Sequence, residues 1–156
     1  KVYGSRRPLK TVKYSNETYN ITNTISIASG GYIYTPLVSA SDVQGVRKAK
    51  NFTLKVFYAG NTPLMFVLAY VPEDQKPQAI NRGSSTGAVS LYEPNQNVIM
   101  SGYITPNYNT MQTFRTRLAR NLNSGDTIQI IIAPAAATDA VQQQLIGISL
   151  NYAITY

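Results

Sequence analysis

The segment Thr113–Ala133 constrains the fold more than any other part of this chain, because a basic alternating stretch turns sharply there and becomes an apolar one. Successive side chains of a strand point to opposite faces, so Phe114, Thr116 and Leu118 fall on one side and Arg115 and Arg117 on the other. The pattern predicts a half-buried strand with a cationic outer face over 113–120. Residues 121–126 read Asn-Leu-Asn-Ser-Gly-Asp, types that accept left-handed backbone or bond their own main chain, and predict a chain reversal. From Thr127 the alternation resumes, with Ile128, Ile130 and Ile132 on the core side. Such a pair is marginal alone and needs more strands and a covering layer.

The rest of the chain supplies them. Ile21, Ile25 and Ile27 alternate with polar residues, Ser29-Gly30-Gly31 reads as a turn, and Tyr32–Leu37 follows. Asn51–Ala59 sets Phe52, Leu54, Val56 and Tyr58 against Thr53, Lys55 and Phe57. Leu64–Val71 is apolar on both faces, which predicts a central strand covered on both sides. Ala88–Tyr92 and Asn97–Ile104 continue the series. Leu145–Tyr156 points Ile146, Ile148, Leu150, Tyr152, Ile154 and Tyr156 one way, and with no charge after Asp139 it is expected to be paired on both edges. Residues 38–50 read as a loop with room for a helical turn and a basic run, Arg47–Lys50. Residues 73–87 and 105–112 read as loops, and 135–144 as a helix-compatible or flexible connection. About eight to ten strands with closely spaced turns and no long helix predict an all-β protein: a two-sheet sandwich, Greek key or jelly roll.

At 156 residues the chain fits one domain, divided here into a basic arm, 1–15, and a single folded domain, 16–156. It has no histidine and no cysteine, which removes the commonest general base, the commonest metal ligand and any thiolate nucleophile. The acids Glu17, Asp42, Glu73, Asp74, Glu93, Asp126 and Asp139 are scattered, and only Glu73 and Asp74 are adjacent. Asp126 has two readings, a calcium ligand or a residue serving its own turn. No phosphate-cradling glycine loop is present, since Gly30-Gly31 is not followed by Lys and Ser or Thr. The expectation is a non-enzyme with no catalytic residue, metal or cofactor. No apolar run reaches the ~20 residues of a membrane span and the start does not read as a secretory signal, so no membrane insertion is expected.

Charge points to a partner. Lys plus Arg number 14 against 7 Asp plus Glu, a net +7, with a pI near 9.7. A basic, sparsely charged chain suits a polyanion, most often nucleic acid. Lys1, Arg6, Arg7, Lys10 and Lys13 lie among Tyr3 and Tyr14, which reads as a phosphate-binding arm with stacking rings or as a solvated tail. Arg115, Arg117 and Arg120 read either as a solvated sheet edge, paired to Glu93 or Asp126, or as a stripe facing phosphates or a neighbouring subunit's carboxylates. These eight cations are the candidate nucleic-acid contacts. The 12 tyrosines, Tyr103, Tyr108, Tyr152 and Tyr156 among them, read as core-edge residues or as anchors of an interface.

Residues 91–102, Leu-Tyr-Glu-Pro-Asn-Gln-Asn-Val-Ile-Met-Ser-Gly, and 114–128, with the phrase Arg-Leu-Ala-Arg-Asn-Leu-Asn-Ser-Gly-Asp, resemble the capsid proteins of small circular Rep-encoding single-stranded DNA viruses, the circovirus-like group. The likeness is firmest over 91–133 and thin over 1–60. It implies a single eight-stranded jelly roll, with strands near 21–37, 51–59, 64–71, 88–92, 97–104, 113–120, 127–133 and 145–155. It also implies self-assembly into a T=1 icosahedral shell around the genome, location in the virion, and passage through the host nucleus. Members of the group begin with a longer arginine-rich arm. Here about 60 copies at +7 would supply about +420 against on the order of a thousand or more phosphates, so the resemblance implies an arm upstream of Lys1 or an empty shell. No residue identifies a host receptor. Two rival readings stand beside it: a nucleic-acid-binding β-barrel that forms no shell, and a lectin-like β-sandwich.

Overall fold

Alternating Ile, Val, Thr and aromatic residues fit a pleated, half-buried surface. The computed structural model of the chain is accordingly built from strands alone among the described residues, which are 4, 13–42, 45–77, 97–136 and 138–155. In chain order they are β1 (Ser15–Ile27), β2 (Ile33–Val38), β3 (Arg47–Tyr58), β4 (Leu64–Val71), β5 (Val98–Ile104), β6 (Asn107–Thr116), β7 (Arg120–Leu122), β8 (Thr127–Pro134) and β9 (Val141–Ile154). One antiparallel sheet runs β1-β9-β3-β6, with β7 also on β3, and the other runs β2-β8-β4-β5. Because β7 pairs with Arg47–Ala49 and β6 with Phe52–Tyr58, the two strands share one edge of β3. The sandwich therefore has eight strand positions, in the alternating sheet order of a jelly roll.

Burial explains the pairing. β9 lies between β1 and β3, as its uncharged alternation predicts, with Ile146, Ile148, Leu150, Tyr152 and Ile154 turned into the core. β4 lies between β8 and β5. Its Leu64, Phe66 and Leu68 join the core between the sheets, while Met65, Val67 and Ala69 form a second apolar cluster with Val98, Ile131 and Ala133 on the other face of the same sheet. Phe114 of β6 meets Phe66 of β4 edge-on, ring centroids 4.6 Å apart, and so joins the two sheets. Gly102, opposite Phe66 in the register, makes room for the pair, since a Cβ there would stand 3.0 Å from Phe66 and 3.1 Å from Phe114. Pro36, which lacks a ladder donor, sits on the edge strand β2 next to a register shift.

Several expectations need correction. The stretch 21–37, assigned to one strand by the resemblance, holds two strands in opposite sheets, because the turn at 28–32 crosses between them; each of the next two strand positions moves one strand along. Arg47–Lys50 is not loop but the start of β3, paired with both β7 and β9. Residues 107–112 belong to β6, and β9 begins at Val141 rather than after a flexible connection. The strand expected over 113–120 stops at Thr116, whose Oγ1 accepts the Leu118 N–H at 3.2 Å, and resumes at Arg120; Leu118 is consequently 38% exposed instead of facing the core. The expected strand 88–92 and most of the 73–87 loop lie outside the described residues.

Candidate nucleic-acid and assembly surfaces

The five-stranded sheet has one face in the core and one outside. On β3, Arg47, Ala49, Phe52, Leu54, Val56 and Tyr58 turn inward, so Lys48, Lys50, Thr53, Lys55 and Phe57 turn outward. A bulge sets this pattern: four residues of β3, Lys50 to Thr53, oppose three of β9, Asn151 to Ala153, with Asn51 at φ 57°. An extra residue keeps Lys50 and Asn51 on the same side before alternation resumes. Arg115 of β6 pairs in register with Thr53, and both Arg115 and Arg117 are exposed. Asn51, Thr53, Arg115, Thr116 and Arg117 line a shallow depression of about 340 Å³. Lys50 Nζ stands 3.9 Å above the Tyr14 ring, just after the exposed Lys13.

No carboxylate interrupts this face among the described residues. Glu17 of β1 is turned inward, where its Oε2 accepts the Tyr152 hydroxyl at 2.8 Å. The rest of the face is neutral: Asn151 accepts the Thr18 hydroxyl at 2.6 Å, beside Ser149 and Gly147. Positive charge without counter-charge on a flat surface raises the local concentration of anions.

Arg120 has a different setting. It pairs in register with the inward-facing Ala49, and its Nε and Nη2 are shielded from solvent. It lies near Tyr70 and Asp126, at the end of the sandwich where Ser41, Glu73 and the turn 123–126 meet. Asp126, 4% exposed, accepts the Tyr70 hydroxyl, the Glu73 N–H at 3.0 Å and the Asn123 N–H at 2.8 Å. The turn also docks on the first connection, since the Gly125 N–H and the Ser124 hydroxyl both donate to Ser41 O, at 3.1 and 3.2 Å. Arg47, 7% exposed, donates from Nη2 to Ser39 O at 3.2 Å. Burial and the hydrogen bond to Asp126 push the Tyr70 phenol up to about 12, with Arg120 opposing. Asp126 thus serves its own turn, the second of its two sequence readings. Among the described residues no group of three or more His, Cys, Asp or Glu could hold a metal.

The outer face of the four-stranded sheet contrasts with the first. Its buried cluster is flanked by Tyr34 on β2, 48% exposed, and Tyr103 on β5, 62% exposed. Tyr152 is a core-edge residue bonded through its hydroxyl.

Of the predicted contacts, the structure brings Arg115 and Arg117 together and turns Arg120 away from them. Lys13 opens the described stretch 13–42 beside Tyr14, while Lys1, Arg6, Arg7 and Lys10 lie outside the described residues. Lys48, Lys50 and Lys55 are not among the cations that the sequence singles out. The alternation of Lys55 with Leu54 and Val56 already places it outward, whereas Lys48 and Lys50 lie in a stretch whose residues read as loop.

The fold and these surfaces define a jelly-roll β-sandwich with one cationic sheet face. No family model and no curated protein matches the chain. Among solved structures it is similar to one of infectious bursal disease virus, Gx strain, with 10% identity and a TM-score of 0.47, over 91% of this chain and 32% of that one. It spans about a third of that chain. It is also similar to the T=1 subviral particle of a Penaeus vannamei nodavirus capsid protein deletion mutant, with 11% identity and a TM-score of 0.48, over 91% and 96% of the two chains. A third is Desmodium yellow mottle tymovirus, with 11% identity and a TM-score of 0.34, over 99% and 94%.

Proposed function

We propose that this chain is the structural subunit of a viral capsid, which self-assembles into an icosahedral shell of the T=1 kind around circular single-stranded DNA and has no enzymatic role. The observation that carries the reading is the coincidence of two features. The segment resembling circovirus-like capsid proteins supplies β5 to β8, and it does so inside a jelly roll, a fold that viral coats share with lectins. The division of outer surface fits a shell subunit: a cationic sheet face suits a phosphate backbone, and tyrosines beside an apolar cluster suit contact with another copy. Lys13 and the arm before it, with Arg115 and Arg117, contact the genome without reading its sequence, while Arg120 serves the loop end. The subunit resides in the virion, and the host nucleus is its place of assembly by resemblance only.

Negative-stain electron microscopy and size-exclusion chromatography of the purified protein test this directly. Closed particles of uniform diameter are expected. A monomer or dimer at physiological salt, with no particles, overturns the shell. Retained binding of nucleic acid in that case favours the barrel-like module, and salt-resistant glycan binding favours the lectin-like sandwich.

A further inference from the structure

The outer face of the five-stranded sheet carries more than charge. Lys48 and Lys55 lie seven positions apart on β3, roughly 20 Å along a strand, and Lys50 and Lys55 flank the depression lined by Asn51, Thr53, Arg115 and Arg117. Lys55 and Arg115 are diagonal neighbours on adjacent strands, because Thr53 pairs with Arg115 and Lys55 with Thr113, which sets them roughly 7–8 Å apart. The Tyr14 ring beneath Lys50 holds that ammonium next to Lys48, toward one end of the row. At the other end stands Phe57, half-buried on the same outward side and opposite Gly147 in the register. Gly147 has no side chain to cover the flank of Phe57; a Cβ added there would lie in van der Waals contact, 3.8 Å from the Phe57 Cβ.

A row of cations ending in a half-buried aromatic ring on the same outward face of a sheet is suited to single strands: phosphates meet the cations, and an unstacked base lies on the ring. A duplex keeps its bases inside its own stack, out of reach of Phe57, and a sulfated polysaccharide has no flat base to place there. We propose that single-stranded nucleic acid crosses the outer face of the five-stranded sheet, its phosphates on Lys48, Lys50, Lys55, Arg115 and Arg117 and a base stacked on Phe57. This deepens the nucleic-acid part of the proposed function and rests on it. It adds an orientation, since this sheet face must then line the inside of the shell.

The test is binding of a fluorescent oligothymidylate to the purified chain across a salt series. Lys55→Gln/Arg115→Gln/Arg117→Gln should weaken binding and flatten the plot of log affinity against log salt by about 2, at about 0.7 for each phosphate that is no longer neutralised. Lys76→Gln, an exposed lysine in the connection after β4 and away from this face, should leave the slope unchanged. Phe57→Leu keeps apolar bulk and should cost about tenfold in affinity at constant slope. An unchanged slope in the triple variant overturns the site. Heparin binding that the triple variant loses, with oligothymidylate binding indifferent to Phe57→Leu, reassigns the face to sulfated polysaccharide and overturns it equally. Melting curves of each variant establish that it is folded. Shell formation is scored separately by microscopy: particles with an unchanged slope sink only this inference, and oligonucleotide binding without particles sinks only the shell.

Discussion

The Tyr70 hydroxyl donates to the Asp126 carboxylate, and this one bond ties the end of β4 to the turn between β7 and β8. The two residues are 56 positions apart in the chain, and the same carboxylate also accepts the Glu73 and Asn123 N–H groups. Buried donors left without an acceptor cost about 1–3 kcal/mol each, so Asp126 holds an entire end of the sandwich.

Asp126→Ala should therefore lower the unfolding free energy by about 3 kcal/mol, and Tyr70→Phe by about 1 kcal/mol, because the carboxylate retains two donors in the second case. Urea denaturation measures both, and the two losses should be less than additive in the double variant, since they share a bond.

The same bond sets a limit in alkali. The folded pKa of Tyr70 is raised from 10.0 to about 12, by burial first and by the bond to Asp126 second. Below pH 10 the phenol is neutral whether the chain is folded or not, and its contribution is fully present. Between pH 10 and pH 12 the unfolded chain loses this proton while the folded chain keeps it, so stability should fall as pH rises through that window. Tyr70→Phe should show a shallower fall, measured by denaturant midpoint at each pH.

Gly102→Ala should destabilise by about 1–3 kcal/mol, since the new methyl group would press on Phe66 and Phe114 where the two sheets meet. Thermal unfolding reads the loss. Adding Phe114→Leu, which removes one of the two rings, should recover part of it.

Ile130→Asp should prevent folding altogether. Ile130 is 1% exposed in the central strand β8, and an unpaired carboxylate there costs several kcal/mol against a marginal total. Arg115→Ala/Arg117→Ala, by contrast, changes two exposed side chains and should leave the unfolding free energy within about 0.5 kcal/mol of wild type. Circular dichroism and denaturation of both variants check the contrast.

Much of this architecture was legible in residue order, because period-two alternation is a local property that burial on one face enforces. The uncharged stretch Leu145–Tyr156 predicted a doubly paired strand, the apolar run Leu64–Val71 predicted a central one, and Asn121–Asp126 predicted the reversal. What tertiary structure alone decided was the side to which particular cations turn. The bulge at Asn51 brings Lys50 and Asn51 to one face, a consequence of how β3 must register against β9. The break after Thr116 turns Leu118 out to solvent, and Arg120, on the same side as Phe114 and Thr116, faces inward toward Tyr70 and Asp126 and does not join Arg115 and Arg117 in one stripe. Alternation reports which residues share a face only while the register is unbroken. Bulges are set by partners distant in sequence, and on this chain the one at Asn51 decides that Lys48 and Lys50 share the cationic face with Lys55.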